Sequence, residues 1–155
     1  MKKEGFFRAL TTFVILSIII VGVSVYFIFS KTLIGPAFLV LGFLSLGVLK
    51  FFKINLKSVY PDLVFGAIDN GILVFVAVLG GIYAGVFGAV IGGAAGNTIT
   101  DSLGGLFEGR IAERLRKQKI NEERFAMSTM LGKMIGCLFG AGVSLILVWV
   151  IQFIF

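Results

Sequence analysis

Five oxygen-bearing side chains stand inside stretches of the chain that are otherwise apolar. Asp69 and Asn70 lie within Gly66-Ala67-Ile68-Asp69-Asn70-Gly71, and Asn97, Thr100 and Asp101 lie within Gly96-Asn97-Thr98-Ile99-Thr100-Asp101. A carboxylate at bilayer depth costs about 2.5–3.5 kcal/mol on insertion scales, so such a group is kept where it meets a partner, a cation or water. The donor set is all oxygen, which suits hard cations such as Ca²⁺, Mg²⁺ and Na⁺. Asp69 and Asp101 would supply the metal-holding charge, with Asn70, Asn97 and Thr100 completing the shell. The chain has no His, and Cys137 is its only Cys, so no thiolate or imidazole metal cluster and no internal disulfide can form. No nucleophile–base pair or metal-hydrolase spacing occurs either, so no catalytic residue is assigned and an enzyme is not expected. The opposing reading is that the same groups only hydrogen-bond neighbouring helices.

The elements that carry these residues are apolar runs of membrane length. Of 155 residues, 58% are hydrophobic and 14% are charged, and the mean hydropathy is +1.06. Soluble chains carry about one quarter charged residues, and roughly 20 apolar residues suffice for a helix to cross about 30 Å of hydrocarbon. The expectation is an all-α polytopic membrane protein with five spans. The first runs from Ala9 to Phe29 and the second from Leu33 to Phe52, with Pro36 in its first turn, where a missing N–H costs little. Pro61 opens the third, which ends at Leu79 before a hairpin turn at Gly80-Gly81. The fourth runs from Ile82 to Phe107, and the fifth from Met127 to Phe155. Residues 108–125 form a basic arm, either a surface helix or a solvated loop. The chain thus divides into a two-helix scaffold with a basic linker (1–57) and a three-helix core (58–155). The opening resembles an uncleaved first span more than a signal peptide, because the apolar run is long and no small-x-small site closes it.

Charge orients this layout. With the amino terminus inside and the carboxyl terminus outside, every one of the 14 basic residues except Lys31 falls inside or at the inner boundary, as the positive-inside rule requires. The net charge of +6 therefore reads as topogenic charge facing anionic lipid, and no nucleic-acid partner is expected. Trp149, Phe153 and Phe155 suit the outer aromatic belt.

Small residues recur every four positions at Gly88, Gly92 and Gly96, and again at Gly132, Gly136 and Gly140 followed by Ser144. Such stripes let helix backbones approach closely in lipid; they also leave carbonyls open to a ligand. Asn97, Thr100 and Asp101 are spaced i, i+3 and i+4, so one helix face carries all three. A turn at Gly80-Gly81 sets Asp69 against Gly92 and Gly93 and leaves Asp101 deeper, so the carboxylates form one site only through a broken helix, a second subunit or two stations on one path. Lys133 is either an ion-pair partner of Asp101 or a snorkelling side chain. Cys137 reads as a small apolar residue.

The three polar motifs, closing with Leu131-Gly132-Lys133 in Ser128-Thr129-Met130-Leu131-Gly132-Lys133-Met134-Ile135-Gly136-Cys137, resemble the transmembrane protein 65 family. That family shows a Gly-x-x-Asp-Asn span, a Gly-Asn-x-x-Ser-Asp span and a last span opening Leu-Gly-Lys. The match covers about residues 61–144 and leaves the first two spans outside; Thr100 stands where the family has Ser. The resemblance implies cation transport, with Na⁺-coupled Ca²⁺ exchange as the leading form and Asp69, Asn70, Asn97 and Asp101 at the motif positions. The absence of a mitochondrial presequence points to the plasma membrane of a prokaryote. Three polar-bearing spans are few to enclose a path, so a homodimer is expected, with no bound cofactor beyond the transported cation. A Mg²⁺ or nonselective cation channel, and a non-transporting assembly or regulatory subunit, are the alternatives.

Overall fold

The computed structural model describes residues 3–30, 33–118 and 126–154. All regular structure among them is helical: α1 (Lys3–Ser30), α2 (Gly35–Phe51), α3 (Leu56–Gln118) and α4 (Ala126–Ile154). Three of these are long and apolar enough to cross a membrane, while α2, with 17 residues, is shorter. At 1.5 Å per residue α2 is about 25 Å long.

Local chemistry sets the ends. Pro36 occupies the first turn of α2. At its other end Lys53 adopts φ 56°, and its N–H donates to the Lys50 carbonyl (3.0 Å) while the Ile54 N–H donates to Leu49 (2.9 Å). This pair of bonds closes the last turn in the manner usually left to glycine. The Asn55 side-chain oxygen then accepts the Lys57 N–H (3.0 Å), an N-terminal cap that starts α3 at once. The helix therefore begins five residues before Pro61, which lies inside it. The sequence expectation that Pro61 opens the span is corrected by the capping power of Asn55.

The expected turn at Gly80-Gly81 is also corrected. The chain stays helical there and breaks at Ala84 (φ −137°, ψ 22°) and Gly85 (φ 59°, ψ −145°). The Gly85 backbone lies in a region that only glycine enters without strain. The break folds α3 back on itself as two antiparallel limbs, 56–83 and 86–118. A Cβ on Gly88 would collide with the Gly80 carbonyl, one on Gly92 would fall 2.5 Å from the Val76 carbonyl oxygen, and one on Gly96 would fall 3.0 Å from the Leu73 Cα. The helical backbone continues through Gln118, so the first half of the expected basic arm is helix; residues 119–125 lie outside the described residues.

The other glycine stripe brings the first limb onto α4. A Cβ on Gly136 would collide with the Leu63 carbonyl and one on Gly140 with the Ala67 carbonyl, while Gly132 lies against Val59 and Asp62. Partners rise together along the two helices, so they run parallel. Ser144 closes the strip by donating to the Gly71 carbonyl (2.7 Å). On another side α4 meets α2 in the antiparallel sense: Gly35 faces Gly142 and Ile146, and Gly42 faces Phe139. α1 packs against α4 as well but leaves Phe7, Ile18, Tyr26, Ile28 and Phe29 exposed. The tightest core joins the end of α2 to the starts of α3 and α4, through Leu49, Val59, Leu131 and Ile135.

Overpacking a close helix contact costs about 1–3 kcal/mol, whereas Gly→Ala in an open helix gains up to about 1 kcal/mol. Gly136→Ala and Gly140→Ala are expected to lower the thermal unfolding temperature in detergent. Gly22→Ala and Gly47→Ala, where an added Cβ meets nothing within 4 Å, are expected to leave it unchanged or raise it.

Candidate functional site

Moving the reversal to Ala84–Gly85 changes which residues meet. Asp69 and Thr100 are nearly equidistant from the break, each roughly 23 Å along its limb at 1.5 Å per residue. The Thr100 hydroxyl donates to Asp69 Oδ1 in a short hydrogen bond between the limbs. Thr100 is 1% exposed, and its Oγ1 also lies 3.0 Å from the Gly96 carbonyl oxygen and 3.2 Å from that of Asn97. One hydroxyl proton thus faces three acceptor oxygens, and each carbonyl has a second lone pair beyond its helical bond. The result is a small oxygen-rich spot where the two limbs cross.

Asn70 turns the other way, from α3 towards α4, where its Nδ2 donates to the Cys137 carbonyl (3.3 Å). Asn97 and Asp101 bond to each other, Nδ2 to Oδ2 at 2.9 Å, and both are exposed on the outer side of the second limb. The expected single face of Asn97, Thr100 and Asp101 is therefore divided. A helix face is wide enough for Thr100 to point at Asp69 while its neighbours at i−3 and i+1 point away. Thr98 and Ser102 lie exposed beside them and bond only to their own helix, at the Ala94 carbonyl (2.9 Å) and the Thr98 carbonyl (2.7 Å).

Lys133 lies half-buried on α4 with its Nζ 5.0 Å from the centroid of the Phe65 ring. The same ring fills the space above Gly104 on the second limb, where any Cβ would strike it. Phe65 is one turn from Asp69 on the first limb, so the ring beneath the Lys133 ammonium and the carboxylate follow each other along one helix. Cys137, one turn from Lys133, lies within electrostatic reach of both Asp69 and Lys133.

Two residues escaped sequence reasoning. Asp62 is 4% exposed, with its Cβ against Gly132; its spacing of seven from Asp69, two helical turns, was the available signal. Phe65 was hidden among 17 phenylalanines, and only the i+4 spacing to Asp69 distinguishes it. Among the described residues no three His, Cys, Asp or Glu side chains gather into a metal-holding group. A cation at Asp69 would therefore depend on the Thr100 hydroxyl and the carbonyls of residues 96 and 97 for further oxygens.

Among the described residues the fold is all-helical, with three helices long and apolar enough to cross a membrane and a half-buried carboxylate at the contact between two helical limbs. Comparison of the chain with family models, with curated proteins and with solved structures finds no match.

A buried polar group left without its partner costs about 1–3 kcal/mol. Thr100→Val is therefore expected to destabilise the protein by that amount and Thr100→Ser, which keeps the hydroxyl, by much less. Equal melting temperatures for the two variants in detergent would show that the Asp69 bond contributes nothing.

Proposed function

We propose that this chain is a membrane cation transporter that moves a divalent cation, Ca²⁺ in the leading form, in exchange for Na⁺ through Asp69. The observation that carries the reading is the Asp69 carboxylate bonded across two apolar limbs to Thr100 Oγ1, which itself lies within hydrogen-bond distance of the Gly96 and Asn97 carbonyls. Four oxygens of this kind are hard-cation ligands, and neutralising the carboxylate by the ion lowers the cost of moving the site across the bilayer. The resemblance to the transmembrane protein 65 family, carried by Asp69, Asn70, Asn97 and Asp101, supports the same reading.

In this reading the two limbs of α3 are separate spans, which with α1, α2 and α4 makes five. The amino terminus is inside, the α3 reversal is at the outer surface, and the membrane is the plasma membrane of a prokaryote. The parallel run of the first limb with α4, and the antiparallel run of α2 against it, agree with that alternation. The functional unit is a homodimer. The Asn97–Asp101 pair, with Thr98 and Ser102, lies exposed at the depth of Asp69, where lipid is a poor neighbour for an amide and a carboxylate. An amide donor and a carboxylate acceptor on one stripe are self-complementary across a two-fold axis.

One observation favours the non-transporting assembly subunit: every buried side-chain nitrogen and oxygen among the described residues already has a hydrogen-bond partner. In that case Asp69–Thr100 is a clamp between limbs and nothing more.

Ion flux into liposomes containing purified protein separates these readings. Wild type is expected to take up Ca²⁺ in response to a Na⁺ gradient, Asp69→Asn to lose at least tenfold of that uptake, and Asp101→Asn to be reduced less. Uptake indifferent to Na⁺ identifies a channel, and unchanged uptake in both variants removes the carboxylates from the mechanism. The dimer is tested by oxidative cross-linking in membranes with Cys137 replaced by Ser. Thr98→Cys and Ser102→Cys are expected to give a disulfide-linked dimer, and Gly47→Cys, exposed on α2, is expected not to. Equal yields at all three positions would reject the interface.

A further inference from the structure

A carboxylate at membrane depth needs a counter-charge in every state of a transport cycle, including those in which the transported ion has left. The one charged side chain that α4 offers is Lys133. Its backbone carbonyl touches the space of Gly66, since a Cβ there would fall 2.5 Å from the Lys133 oxygen, so its stem leaves α4 right at the α3 contact. Its ammonium lies over Phe65, and Phe65 precedes Asp69 by four residues, about 6 Å along the helix. A lysine ammonium is a compact charge on a flexible four-carbon stem, and the ring beneath it is a weak cation site, worth about 0.5–2 kcal/mol. The charged and titratable groups around this gap are Asp62 and Asp69 on the first limb and Cys137 on α4, while Asp101 lies on the outer side of the second limb.

We infer that Lys133 is a resident cation of the protein, which rests against the Phe65 ring and competes with the transported ion for the Asp69 carboxylate. The inference rests on the transport reading and deepens it. Ion binding displaces the ammonium onto the ring, and ion release is assisted when the ammonium returns. The ring position is held by Gly104, whose lack of a side chain leaves room for Phe65 between the second limb and Lys133. Competition of this kind weakens ion affinity and speeds turnover together, because the same charge that opposes binding drives release.

The test is Ca²⁺ uptake by the full chain in liposomes, read as KM and turnover separately, with Ca²⁺ binding measured in detergent by calorimetry. Lys133→Met and Lys133→Gln are expected to lower KM and the dissociation constant about tenfold and to slow turnover. Lys133→Arg, which keeps the charge, is expected to stay within about twofold of wild type in KM. Phe65→Leu, which removes the resting place, is expected to raise KM severalfold, and to have no such effect when combined with Lys133→Met. Monodisperse elution in detergent establishes that each variant is folded. Active protein in which both neutral variants keep wild-type KM and turnover overturns the inference and leaves the transport reading standing. A Phe65→Leu effect that persists undiminished beside Lys133→Met also overturns it. Wild type that neither binds nor moves Ca²⁺, Mg²⁺ or Na⁺ overturns both.

Discussion

The position of one chain reversal controls what every polar residue in α3 can meet. Because the helix breaks at Ala84–Gly85, residues equally far from that point face each other, and Asp69 finds Thr100. A break four residues earlier would set Asp69 against glycines and leave the carboxylate with no donor on the opposing limb. Gly85 holds the break by conformation alone, since a Cβ there would touch nothing yet its φ of 59° disfavours side-chain-bearing residues. The limbs approach most closely at glycines, at Gly80 with Gly88, Gly92 with Val76 and Gly96 with Leu73. Lipid offers no hydrophobic drive for such an approach, so close backbone packing must supply it.

α4 is the post around which the rest is arranged. Its glycine stripe accepts the carbonyls of Leu63 and Ala67, and its other sides accept α2 and α1. The consequence for the site is that the first limb is fixed while the second is held mainly through the first. Asp69 and Asn70 are adjacent in sequence and report the two kinds of neighbour, Asp69 bonding to the second limb and Asn70 to α4. The Asp69–Thr100 bond therefore lies at the contact between a limb packed on α4 and a limb packed on the first.

Much of this could be read from residue order. Apolar run lengths located the helices, and spacing by four identified the stripes that now lie at the interfaces. The reversal was not legible in that way, because a glycine needed for a turn and a glycine needed for packing are the same letter. Gly80 and Gly81 looked like a turn and are packing residues, and the turn falls at Gly85. The distinction lay in register. A reversal at 84–85 opposes Gly80 to Gly88 and Gly81 to Ala89, pairing small with small, whereas a reversal at 80–81 sets Gly88 against Leu73. The start of α3 was missed for a related reason, since Pro61 is a conspicuous punctuation mark and Asn55 an ordinary polar residue until its side chain is seen capping. Spacing of i, i+3 and i+4 put Asn97, Thr100 and Asp101 on one helix face. It could not say that the side is divided between an interior and an exterior.

That division separates the two carboxylates. Asp69 lies half-buried at the contact between the limbs, whereas Asp101 leans on Asn97 on the exposed side of the second limb. Asp101 follows Thr100 directly, so a rotation of the second limb that broke the Thr100–Asp69 bond would carry Asp101 towards the gap. Successive residues on a helix differ by about 100° of azimuth at 3.6 residues per turn, which is more than side-chain rotamers absorb. Limb rotation, and not side-chain motion, is thus the step that could join the two carboxylates within one protomer. Without that rotation, Asp101 stays on the exposed side of the second limb, bonded to Asn97.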